Sequence, residues 1–333
     1  MSDVLHGLRI SPAPCGAYGL PRPVAYSVWH AIVCGVRYLL IVNPKAGRHH
    51  ARARGRLVAG GLTEAGHDCT VKETRCPRHA TQLAAEGRDF DVVVAVGGDG
   101  TLHEVLGGLA RQDSSTLLPA LGIVPAGSGD SVAMDLGILD EHHALQRLLA
   151  GEVRTIDVAR VDLEAAAGLK PRALLAANVL AWGAGARINR RAEGMRWAGA
   201  ARYNVATVVE LVAMGRGAAV SIVDGVPRPS ELLGVASLTR YSGRGLLLAP
   251  EARLDDGKID LVHFERSSRL HLARTFGAVF RGAHLGLAGV DWTQVESFHL
   301  ELGELGELVV DGELVPCNRA QVTVLPRALT VLA

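Results

Sequence analysis

Asp99 stands among glycines in the stretch VVVAVGGDGTLHEVL (Val92–Leu106), where an apolar run ends and a helical pattern begins. Glycines let backbone N–H groups approach phosphate oxygens with no Cβ in the way. The first turn of a helix adds unpaired N–H donors and a dipole that favours an anion. A carboxylate beside phosphates is repelled unless it holds Mg2+ or takes a proton from an attacking hydroxyl. Asp99 is therefore read as a metal anchor or a general base. Two further loops of the same character follow apolar runs, NPKAG (Asn43–Gly47) and GSGD (Gly127–Asp130). Together the three loops nominate Asn43, Pro44, Lys45, Gly97, Gly98, Gly100, Thr101, Gly127, Ser128 and Gly129 as a nucleotide-phosphate cradle. Thr101 with Glu104 fits a capping box at the start of the following helix, and Glu104 joins the set on that ground. Any one such loop can equally be a tight turn between strand and helix.

Loops of this kind need a scaffold that brings them together. YLLIVN (Tyr38–Asn43), DVVVAV (Asp91–Val96) and LGIV (Leu121–Val124) read as buried strands, each followed by a helix-like segment. Continuous apolar strands alternating with helices predict a parallel sheet covered on both faces. In an open sheet of that kind, ligands bind beyond the carboxyl ends of the strands, where the three loops meet. After Gly151 strand-like runs come in quick succession: RTIDVARVDL, RALLAANVLA, AAVSIVDG, GRGLLLAP, KIDLVHF, FHLELG, ELVVDGEL and QVTVLP. Helical stretches over roughly 199–214 and 268–280 interrupt them. The expected fold class is α/β plus mostly β: an N-terminal open parallel-sheet nucleotide domain and a C-terminal antiparallel β-sandwich-like domain. The expected boundaries are 1–35, a poorly ordered extension rich in Pro and Gly; 36–150, the nucleotide domain; and 151–333, the β-rich domain, with its last strands returning to the first.

Composition narrows the function classes. The chain has 333 residues, 48% of them hydrophobic, and a formal net charge of +1. That balance lacks the basic excess of a typical nucleic-acid binder. Five cysteines are scattered without metal-site spacing, which predicts reduced thiols and a cytoplasmic protein. No run reaches the ~18 uninterrupted apolar residues of a spanning helix. Other phosphate signatures fail: there is no GxxxxGK[ST], no third glycine after Gly127 and Gly129, and no HRD or DFG.

NPKAG, VGGDGTLHEVLGGL, GIVPAGSGD and VVDGE occur in that order. As a set they resemble the diacylglycerol-kinase-type catalytic fold shared by diacylglycerol, sphingosine and ceramide kinases, over about Tyr38 to the C-terminus. GGDGT alone is shared with NAD kinases. PAGSG (Pro125–Gly129) and the segment LAWGAGARINRRAEGMRWAGAARYNV resemble the sphingosine/ceramide branch. The resemblance implies an ATP- and Mg2+-dependent lipid kinase that works at a membrane surface, cytoplasmic and peripherally bound, with the lipid and ATP as partners. It places ATP contacts on Thr74, Arg196 and Arg202, beside Ser128 and Gly129. It places catalysis on Asp99 and on the late Asp311-Gly312-Glu313 motif, and a structural metal on Asp256 and Asp260.

Two positions depart from the pattern. Asp130 stands where the family has Asn, with a helix cap as one use for it. The acid that binds a sphingoid head group falls on Asn189, with Arg187 nearby, and both changes disfavour an ammonium and favour a neutral lipid alcohol. Those departures keep a non-catalytic ATP- or lipid-binding homologue open, and a NAD-kinase-like soluble kinase is a further alternative. Asp311-Gly312 between apolar runs is also a strong hairpin signal. Leu272, Phe276, Val279 and Phe280 recur at helical spacing, as core or as a lipid-entry face. The sequence leaves a homodimer open.

Overall fold

The run RYLLIV forms β1 (Arg37–Val42), buried from its second residue onward. α1 (Ala51–Glu64), β2 (Asp68–Glu73), α2 (His79–Glu86), β3 (Val92–Gly97) and α3 (Asp99–Leu109) follow. Then come the short pair β4 (Ala110–Arg111) and β5 (Ser114–Leu117), β6 (Ala120–Pro125), α4 (Ser131–Asp135) and α5 (Glu141–Ala150). This computed structural model describes residues 35–111, 114–117, 119–164, 172–195, 202–213, 221–243, 245–303 and 306–333. Apart from Gly35, the expected N-terminal extension lies outside them.

Strands β2, β1, β3 and β6 are neighbours in that order and all parallel. β3 and β6 are buried at nearly every residue, as a sheet covered on both faces requires. Gly55 lets α1 settle on this sheet: a Cβ there would lie 2.9 Å from Val42 Cγ2. β2 carries no long apolar run, is nowhere fully buried, and was not expected from the sequence.

The second half continues as β7 (Val153–Glu164), β8 (Arg172–Ala176), β9 (Val179–Gly183), α6 (Ala184–Gly194), α7 (Arg202–Ala213), β10 (Ser221–Val223), β11 (Val226–Arg228), β12 (Glu231–Ser237) and β13 (Ile259–Glu265). α8 (Arg269–Val279), β14 (Val290–Val295), β15 (Ser297–Glu301), β16 (Glu307–Val310), β17 (Glu313–Pro316) and β18 (Arg319–Leu332) complete it. Six strands form an antiparallel sheet in the order β14-β13-β12-β9-β16-β17. The others extend the first sheet with antiparallel strands, so that sheet is mixed: β11-β10-β15-β18-β6-β3-β1-β2, with β7 and β8 branching from β18. β18 runs antiparallel to β15 and to β7, and near its end Val331 is in parallel register with Leu121 of β6. Leu180, Trp182, Phe298, Leu300 and Val322 belong to one core cluster between the two sheets, a sandwich arrangement.

Two expectations need correcting. RALLAANVLA is two strands, because the chain leaves β8 in one sheet and enters β9 in the other at Ala177–Asn178. GRGLLLAP forms no strand among its described residues; it turns beside Tyr241 and Leu247, which share a single bridge.

Candidate functional site

The loops after β1, β3 and β6 are tied side by side. Asn43 N donates to Val96 O at 2.9 Å, and Ala126 N donates to Gly97 O at 2.8 Å. Asn43 then links two loops: its Oδ1 accepts from Lys45 N at 3.1 Å, and its Nδ2 donates to Thr101 Oγ1 at 3.1 Å. Gly98 and Gly127 touch through their backbones, since a Cβ on Gly98 would lie 2.9 Å from Gly127 Cα. Space around Gly100 is open. Asn43, Lys45, Thr74, Gly98, Gly100, Thr101, Glu104, Gly127, Ser128 and Gly129 line one cavity of about 1280 Å3, whereas Pro44 and Gly97 do not line it. Arg196 lies outside the described residues, and Arg202 opens α7 with its side chain outside them.

Three polar side chains act differently from expectation. No side chain caps α3, whose N-cap is Gly98, so Thr101 and Glu104 form no capping box. Thr101 already lies within the helix, and Glu104 reaches across to α2, accepting from Arg78 N at 2.9 Å and Ala80 N at 3.0 Å. Asp130 likewise caps no helix. It adopts a left-handed conformation (φ 56°), which Asp tolerates, and accepts from Gly127 N at 2.9 Å. The Asp130 side chain is thus a local acceptor for the glycine loop.

Asp99 opens α3 with its Oδ1 accepting from Ser131 N at 2.8 Å. Ser131 Oγ in turn accepts from Gly243 N at 2.9 Å, so a turn from the second half of the chain closes over the site. Burial and the neighbouring Asp130 charge push the Asp99 carboxyl up to about 7, with Asp311 adding to the effect and the Ser131 hydrogen bonds opposing it.

Asp311 and Gly312 both have positive φ, 48° and 89°, and form the two-residue turn between β16 and β17. The Asp311 carboxylate accepts from Ala177 N, Asn178 N and Val179 N, each at 3.0 Å, and meets His103 Nδ1 at 3.1 Å. It anchors the passage from β8 to β9, and its lone pairs are spent there. Glu313, next on the hairpin, lines the cavity with its side chain 39% exposed.

The cavity continues from these acids along Val179, Ala181, Ile188, Leu233, Leu248 and Phe276. Leu272 and Val279 also line it, while Phe280 faces outward. Asn189 is buried on the cavity wall and donates to Gly312 O at 2.9 Å. Arg187 does not line the cavity: it pairs with Glu210, which also holds Arg191 at 3.4 Å. Its guanidinium is held on Glu210 rather than facing the cavity, and that one carboxylate is shared between two arginines. Asp256 and Asp260 are committed elsewhere. Asp256 accepts from Lys258 N at 3.1 Å, and Asp260 accepts from Trp292 Nε1 at 2.7 Å and from Gln294. Among the described residues no three His, Cys, Asp or Glu cluster as a metal site, and this pair does not fit one.

Sequence reasoning missed Ser131, Glu210 and Arg54. Arg54 lines the cavity, pairs with Glu141 at 3.3 Å and donates to Pro125 O. It lies in the run ARARGR, where only the following Gly55 marks the face turned to the sheet.

Comparison with known proteins agrees with this geometry. Residues 37–161 match the diacylglycerol kinase catalytic domain, and residues 178–333 match the YegS C-terminal NAD kinase beta sandwich-like domain. A diacylglycerol kinase of Mycobacterium tuberculosis is 32% identical over 254 residues, covering 75% of this chain and 79% of that protein. Sphingosine kinase 1 of Arabidopsis thaliana is 25% identical over 85% of this chain and 69% of its own length. A crystal structure of a diacylglycerol kinase from Bacillus anthracis shares the fold, with a TM-score of 0.64 over 89% of this chain and 96% of that one at 20% identity.

Proposed function

The chain belongs to the diacylglycerol kinase catalytic-domain family, and from that premise we propose that it transfers the γ-phosphate of ATP to the primary hydroxyl of a neutral lipid alcohol of the diacylglycerol or ceramide type. The observation that carries the reading is the single cavity, with glycine loops and helix starts at one end, apolar side chains at the other, and Asp99 and Glu313 on its wall. Positioning and charge neutralisation are most of what phosphoryl transfer needs.

The three loops would cradle the phosphates, with Arg54 and Lys45 as cations at that end. Mg2+ fits at Asp99, a carboxyl whose negative neighbours Asp130 and Asp311 already raise the cost of its charge. When bound, the ion neutralises charge on the phosphates. Glu313, on the cavity wall beside His103, would accept the hydroxyl proton. As the hydroxyl oxygen bonds to the γ-phosphorus, the bond from that phosphorus to the bridging oxygen breaks, and the electron pair leaves with ADP.

A neutral head group is favoured because Asn189 is committed to Gly312 O and Glu210 to two arginines, so neither offers an ionic partner to an ammonium. Leu270 and Phe280, exposed at either end of α8, flank cavity-lining Leu272 and Phe276. They support entry of the lipid from a membrane surface. No helix among the described residues is long and apolar enough to cross a membrane.

The test is transfer of labelled phosphate from ATP to diacylglycerol, ceramide, sphingosine and monoacylglycerol in mixed micelles. Diacylglycerol or ceramide should be labelled, and Asp99→Asn should abolish the product. Labelling of sphingosine alone would overturn the neutral head group, and ATP binding without any product would favour a non-catalytic homologue.

A further inference from the structure

His103 lies one turn into α3 and is buried, with 7% of its surface exposed. Its two nitrogens face two different acids of the β16–β17 hairpin: Nδ1 is 3.1 Å from Asp311 Oδ2, and Nε2 is 4.0 Å from Glu313 Oε2. The first contact is rigid, because three backbone N–H groups hold the Asp311 carboxylate from the other side. An imidazole anchored through Nδ1–H presents Nε2 as its working nitrogen, and its orientation is set by the anchor. That nitrogen points to the acid that lines the cavity.

We propose that His103 is a positioning residue: anchored on Asp311, it holds the Glu313 carboxylate on the cavity wall in the place where it takes the proton of the acceptor hydroxyl. The inference rests on the kinase reading above and adds the residue that sets the orientation of its base. A separation of 4.0 Å is longer than a hydrogen bond, and such contacts commonly tighten only when substrate is bound.

The charges around the ring support an imidazolium there. Burial works against it, but the hydrogen bond and charge of Asp311, with the charges of Glu313 and of Glu104 on the same helix, outweigh burial and raise the His103 pKa. A cation at Nε2 attracts the Glu313 carboxylate and so fixes its place on the cavity wall.

His103→Asn separates this role from packing. The amide can replace Nδ1 as donor to Asp311, but nothing replaces Nε2. Phosphotransfer would be measured from pH 5 to 9 for wild type and His103→Asn. The imidazole would be titrated by nuclear magnetic resonance in wild type and Glu313→Gln, with the His103→Asn spectrum assigning the signal. In His103→Asn, kcat at pH 7 should fall roughly tenfold, with KM for ATP held within about twofold. In Glu313→Gln the His103 midpoint should move down. A His103→Asn with wild-type kcat, or a His103 midpoint untouched by Glu313→Gln, would overturn the proposal alone. A wild type that phosphorylates no lipid would overturn the kinase reading and, with it, the role assigned to Glu313.

Discussion

Asp99 and Asp311 are both acids beside glycines, yet their surroundings give them opposite properties. Asp311 is saturated by three N–H donors and a histidine, so removing it strands buried donors. Asp311→Ala should cost about 3–5 kcal/mol in urea unfolding, and Asp311→Asn, which keeps an acceptor and tolerates the left-handed turn, markedly less. Asp99 carries a charge its surroundings disfavour. Its pKa rises from 3.8 in the unfolded chain to about 7 in the fold, so the folded state is favoured below pH 4 and loses that advantage as pH rises toward 7. Asp99→Asn should therefore abolish phosphotransfer while stabilising the metal-free protein at pH 8 by on the order of 1–2 kcal/mol, with little change at pH 4. Melting curves at both pH values check the sign. GGDGT and VVDGE were legible as motifs because glycine and acid types are distinctive. Which acid is spent on structure was not legible, because the partners of Asp311 are backbone groups 132 to 134 residues earlier in the chain.

At the scale of elements, the site depends on helices and strands that end in the same place. The parallel strands were readable from unbroken apolar runs, and the loops from glycines at their ends. Gly98 shows why the residue type is required: an added Cβ meets the Gly127 backbone at 2.9 Å, and backbone cannot turn aside as a side chain can. Gly98→Ala should weaken ATP binding by about tenfold or more in calorimetry while leaving the fold intact, because the two phosphate loops must part. Three local readings failed for tertiary reasons. The capping box at Thr101 lost to an acceptor role for Glu104 at α2. RALLAANVLA is one apolar run in sequence, but Asp311 captures its middle amides and sends its halves into two sheets. GRGLLLAP is apolar because Leu246 and Leu248 line the cavity, not because it pairs in a sheet.

For the whole molecule, the cavity is the property that no single motif encodes, since its walls come from β9, α6, β12 and α8 as well as the phosphate loops. Phe276, which packs edge-on against Phe280 with ring centroids 5.2 Å apart, stands on its apolar side. Phe276→Ala should raise KM for a long-chain lipid alcohol by roughly five- to tenfold, spare a short-chain one, and leave KM for ATP unchanged in steady-state assays. β18 has a consequence for how the protein is made. Its Val331 stands beside Leu121 of β6, although some 210 residues of synthesis separate them. Until the ribosome has delivered the end of β18 around Val331, β6 is an unpaired, apolar edge of a parallel sheet whose other strands already exist. A nascent chain stalled anywhere after Pro125 carries an adhesive surface and no finished sandwich, so the interval before β18 arrives is when a chaperone has most to protect.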